Sequence, residues 1–104
     1  MKIQLNTGRN VRGSEELRGL LTYIISEELS RFDDQITRLE VYISDEDGKK
    51  GGPKDKRCLL EARMEGMQPI AVTNFANTSE QAVIGALGKL KNKFSTKIGR
   101  LRNH

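Results

Sequence analysis

Apolar and polar positions follow two periods along this chain, and the alternation between them marks six elements. Ile3 and Leu5 alternate with polar neighbours over Lys2 to Asn6, the two-residue period of a short strand. Residues 7–13 contain glycine and asparagine and read as a loop. Ser14 can cap a helix whose first turn holds Glu15 and Glu16, the charge sign favoured at an N-terminus. Leu17, Leu20, Leu21, Ile24, Ile25, Leu29 and Phe32 then recur at three-and-four spacing, which predicts a helix ending near Asp33 and Asp34. Ile36 to Ser44 alternates again, with Leu39, Val41 and Ile43 on one face and Arg38, Glu40 and Tyr42 on the other. A polar loop, Asp45 to Lys56, contains three glycines and Pro53. Arg57 to Glu65 is a third strand with Cys58, Leu60, Ala62 and Met64 inward, and Gly66 to Gln68 turns the chain into a fourth, Pro69 to Phe75.

Thr78 to Arg102 is the longest periodic stretch. Thr78 and Gln81 form the capping-box pattern, with Asn77 an alternative cap. Val83, Leu87, Leu90, Phe94, Ile98 and Leu101 make one apolar stripe, with Ala82 and Ala86 beside it. A helix of this length spans roughly 37 Å, more than a small core needs, so its end should project or lie along an edge. The order β-α-β-β-β-α predicts an α+β two-layer sandwich. It has a four-stranded mixed sheet, the first two strands parallel and the last three an antiparallel meander, with two helices on one face. The 104 residues read as a single domain, 1–104.

Charge changes the picture of the last helix. Residues 1–48 hold six Lys/Arg against ten Asp/Glu, a balance of −4; residues 49–104 hold twelve against four, a balance of +8. From Lys89 onward no acid occurs, while Lys89, Lys91, Lys93, Lys97, Arg100 and Arg102 do. At about 100° per residue, Lys89, Lys93, Lys97 and Arg100 line one flank of the apolar stripe, and Lys91 and Arg102 the other. Cations in a last turn offset the helix dipole, but that accounts for one or two, not for a row beginning three turns earlier. Binding to a polyanion accounts for the row better. A membrane surface fits less well, since the helix has no Trp and its stripe is wanted by the core. The chain contains no apolar run of transmembrane length and no signal-peptide pattern, so a cytoplasmic location is expected; a monomer is expected as well.

Other chemistry is poorly supplied. The one histidine is the last residue, His104, and the one thiol, Cys58, shares the inward face of its strand, where an inert buried cysteine is expected. Asp45, Glu46 and Asp47 lack the alternating ligands of a calcium loop, and the Gly48–Lys54 segment lacks the Gly-Lys-Ser/Thr ending of a phosphate-binding loop. A flexible linker is the plainer reading of that segment. Tyr42 and Phe75, on the open sheet face, could stack bases, although the aromatic motif and strand order of an RNA-recognition motif are missing. The acid pairs at 15–16, 27–28 and 33–34 read as a solvated helix face. No enzyme, metal, cofactor or small-molecule substrate is expected.

The element order, the length, Thr7-Gly8-Arg9 after the first strand, Leu39-Glu40-Val41 against Leu60-Glu61-Ala62, and Lys89-Leu90 in a basic last helix together resemble the ribosome hibernation-promoting factors. This family includes the ribosome-associated inhibitor. The resemblance covers nearly the whole chain and fits the short, single-domain form. It implies binding to ribosomal RNA of the small subunit, in the path of mRNA and tRNA, with translation silenced by occupancy. The implied RNA-contacting residues are Lys89 with Lys91, Lys93, Lys97, Arg100 and Arg102, and Arg9 and Arg12 in the first loop. The first helix departs from the family, carrying Arg18 and Arg31 among acids where members often have several lysines. Two alternatives remain: a double-stranded RNA-binding module, disfavoured by the cation-free start Thr78 to Gln81, and an adaptor whose basic helix meets an acidic protein.

Overall fold

The computed structural model describes residues 1–8, 14–46 and 55–102, the last six as helix backbone alone. The elements are β1 (Lys2–Thr7), α1 (Glu15–Glu28), β2 (Arg38–Asp45), β3 (Lys56–Arg63), β4 (Ile70–Ala76) and α2 (Ser79–Arg102). They form one sheet in the order β1-β2-β3-β4. β1 pairs parallel with β2, Leu5 opposite Val41, and β2-β3-β4 is an antiparallel meander with Val41 opposite Leu60 and Leu60 opposite Val72. The expected α+β sandwich and its mixed sheet are therefore present.

Strand alternation decides where the core lies. Leu39, Val41, Ile43, Cys58, Leu60 and Ala62 point to one face and are buried there with Leu21, Ile25 and Leu29 of the first helical segment and Ala82, Val83, Ala86, Leu87, Leu90 and Phe94 of α2. Removing these side chains from water is the dominant stabilising term. Each helix starts at a capped turn: Ser14 Oγ accepts from Leu17 N–H at 3.1 Å, and Thr78 Oγ1 from Gln81 N–H at 3.1 Å.

Two expectations about the first helix need correction. The α-helix stops at Glu28 and does not continue to Asp33; the chain tightens into a 3-10 turn at Ser30–Phe32, where Phe32 N–H donates to Leu29 O and Asp33 N–H to Ser30 O. The tighter turn keeps Phe32 in the core, its ring edge-on to Phe94 with centroids 4.6 Å apart. Leu20 is 44% exposed, not core. The helix rests on the sheet through Leu21, Ile25 and Leu29, and Leu20 lies about 100° round from Leu21. Strand ends differ from those expected by one or two residues; Ile36 is buried but precedes β2.

The β2–β3 hairpin is tied at its base. Lys56 Nζ lies 2.8 Å from Asp45 Oδ2 and 3.6 Å from Asp55 Oδ2, and Glu46 N–H donates to Asp55 O. The loop tip, residues 47–54, lies outside the described residues.

Candidate nucleic-acid interface

The apolar stripe of α2 faces the sheet, so the helix's flanking positions fall either at the outer edge of β4 or beside α1. Lys89 and Lys91 fall on the two flanks that their helical angles require. Lys89 reaches β4, where its Nζ donates to the Thr73 carbonyl at 2.8 Å. Lys91 turns the other way and pairs with Glu28 at the end of α1. That contact is solvent-exposed, and such a pair contributes about 0–1 kcal/mol. Lys93, one turn beyond Lys89, is exposed and has no ion-pair partner among the described residues. Lys97, Arg100 and Arg102 continue on helical backbone, their side chains outside the described residues; Arg9 and Arg12 lie outside them altogether.

Between the Lys89–Lys93 flank and the edge of β4 runs an open groove of about 400 Å³, lined by Ala71, Val72, Thr73, Lys89, Asn92 and Lys93. Two ammonium groups and an amide meet there, with no carboxylate among the lining residues. Such a set of donors suits a phosphate oxygen. Sequence reasoning found Lys89 and Lys93 but missed Thr73 and Asn92. Nothing in the local pattern marks them; their role depends on β4 being the sheet edge beneath α2.

The open sheet face is electrostatically different. Its arginines are engaged by acids: Arg38 with Glu40, Arg63 with Glu61 at 3.0 Å, and Arg57 with Glu46 at 3.7 Å. Glu40 is almost buried, receiving Asn6 Nδ2 as well as Arg38. Tyr42 and Phe75 stand on this face at 43% and 48% exposure, on strands separated by β3. It therefore offers aromatic surface but little unpaired positive charge.

Cys58 is fully buried, and desolvation pushes its thiol up to about 12. No cluster of three His, Cys, Asp or Glu able to hold a metal occurs among the described residues. No helix among them is long and apolar enough to cross a membrane.

No protein-family model and no curated protein matches the sequence. Solved structures do match. A ribosomal subunit interface protein from Coxiella burnetii superposes with a TM-score of 0.75 at 19% identity, over 95% of this chain and 99% of that one. The N-terminal domain of Thermus thermophilus Protein Y superposes with a TM-score of 0.69 at 18% identity, over 89% of this chain and 94% of that one. At these identities the likeness establishes the fold: this chain has the β-α-β-β-β-α sandwich seen in a ribosomal subunit interface protein.

Proposed function

We propose that the chain binds the small ribosomal subunit through its RNA and silences translation by occupying the path of mRNA and tRNA. The observation that carries this reading is the acid-free flank of α2 along the edge of β4, on a fold shared with a ribosomal subunit interface protein. Lys89, Lys93, Lys97 and Arg100 supply the phosphate-facing row, with Lys91 and Arg102 on the opposite flank and Arg9 and Arg12 in the first loop as further contacts. Affinity comes from counterion release as these cations meet phosphates, and inhibition from bulk placed where substrates must pass. In this reading no bond is made or broken: the protein is a binding factor and not an enzyme, and it works as a cytoplasmic monomer.

Co-sedimentation tests the reading. The protein is spun with purified small subunits, and its binding to a plain RNA duplex is measured at the same salt. Stoichiometric pelleting with subunits, together with weak duplex binding, is expected. Equal affinity for the duplex would favour a double-stranded RNA-binding module, and no pelleting with subunits at physiological salt would refute the proposal.

A further inference from the structure

Both edges of the sheet carry the same device. Backbone groups alternate in direction along a strand, so each edge strand aims every second residue's N–H and C=O away from the sheet. In the hairpin, Glu46 N–H donates to Asp55 O, so odd residues of β3 bond to β2 and even ones to β4. By the β3–β4 register, Ile70, Val72, Asn74 and Ala76 bond to β3, and Ala71, Thr73 and Phe75 face outward. On β1, Lys2 N–H donates to Thr37 O and Gly8 N–H to Ile43 O, which leaves Ile3, Leu5 and Thr7 outward. A cation from the helix above caps the middle carbonyl of each outward trio. Arg18 of α1 donates to Leu5 O at 2.8 Å, and Lys89 of α2 donates to Thr73 O at 2.8 Å.

The β4 edge needs such a cap more. Ile70–Ala76 reads IAVTNFA, with no charge and no proline, the composition of a strand that recruits another. The strand is also complementary to itself. Two copies laid antiparallel about a two-fold axis at Thr73 set Thr73 opposite Thr73, exchanging both outward hydrogen bonds. Ala71 then faces Phe75 of the second copy, small against large, and the two sheets continue as one. The Thr73 carbonyl is the acceptor this central pair requires, and Lys89 occupies it. The same arrangement brings the Lys89 and Lys93 flanks of the two copies toward each other, which adds like-charge repulsion.

We infer that Lys89 is a latch that closes the β4 edge against strand pairing with β4 of a second copy of this chain. Sedimentation velocity over a concentration series tests it. No RNA is present, so the result is independent of the ribosomal reading. Lys89→Met keeps the aliphatic stem and removes the ammonium. It should dimerise with a dissociation constant at least ~10-fold below that of the wild-type chain. Lys89→Arg, which can still reach the carbonyl, should behave as wild type. Adding Thr73→Pro to Lys89→Met should restore the monomer, because proline removes an outward N–H and no bond to β3. A monomeric Lys89→Met protein, or a double variant that still dimerises, overturns the inference. Amide exchange on the unaltered protein gives a second measurement. Ala71, Thr73 and Phe75 should exchange fast and Val72 and Asn74 slowly at every concentration. Protection of the first three at high concentration would show that Lys89 does not close the edge.

Discussion

Individual residues reveal the core most directly. Leu90 has no exposed surface, and its neighbours on the α2 stripe are buried with it. Leu90→Ala should therefore cost about 2–5 kcal/mol, a large part of a small domain's stability, readable as a lowered urea midpoint at unchanged slope. Cys58 reports the strand register from the other side of the interface. Its thiol is buried and ionises only near pH 12 in the folded protein, against 9.0 when free. Below pH 9 the thiol is neutral in both states and contributes nothing to the pH dependence. Between 9 and 12 the unfolded chain loses the proton first, so this group lowers stability as pH rises. A maleimide should label native Cys58 slowly at pH 7 and quickly in denaturant. Rapid native labelling would mean that β3 is turned over, with Cys58 on the open face. Both residues were legible from the sequence because each sits inside an unbroken apolar period. Glu40 was not: a carboxylate at an outward position becomes buried only because Arg38 and Asn6 close over it, and that takes β1 in register beside β2.

Elements were legible where a period runs long and ambiguous where a turn competes with it. The α2 cap, and its stripe as far as Phe94, follow from spacing alone; Ile98 and Leu101 lie outside the residues with described side chains. The first helix was overextended because Phe32 keeps helical spacing while the backbone has already tightened into a 3-10 turn that seats it on Phe94. Two glycines of α2 separate propensity from packing. At Gly88 an added Cβ meets nothing within 4 Å, whereas at Gly85 it would lie 2.1 Å from Asn74 Nδ2 and 2.7 Å from Asn74 Cγ. Asn74 points inward from β4 and donates to the Ala82 carbonyl at 3.3 Å, so the missing side chain makes room for a bond between strand and helix. Gly88→Ala should raise stability by about 0.5–1 kcal/mol through helix propensity. Gly85→Ala gains the same term but displaces a half-buried amide and loses its bond, about 1–3 kcal/mol, with packing strain in addition. The two substitutions should thus move the melting temperature in opposite directions. A rise for both would show that Asn74 swings aside freely and that its bond to α2 contributes little.

At the scale of the whole molecule, charge is separated. The first helix and its neighbours are acidic, the last helix is basic, and Lys91–Glu28 is the one ion pair joining the two helices among the described residues. Half of the candidate site could be read from the sequence, since a cation row needs only helical angles. The other half could not, because the groove exists only where α2 overhangs an edge strand and Thr73 and Asn92 come together. Lys89 is bound to the sheet edge, so a charge-removal test of RNA binding should leave it in place and replace Lys93, Lys97 and Arg100 with glutamine. These three lie on one helix flank, and Lys93 is exposed without an ion-pair partner among the described residues, so the fold should persist. Relief of repulsion between like charges one turn apart should even add a few tenths of a kcal/mol. Phosphate contacts set the salt dependence, at about −0.7 in log-log slope per contact for irregular RNA, so loss of three should flatten the slope for small-subunit binding by roughly 2. Inhibition of a cell-free translation reaction should weaken in parallel. A triple variant that binds subunits with the wild-type slope would reduce the row to a solubilising face. The contact would then have to come from the aromatic sheet face around Tyr42 and Phe75.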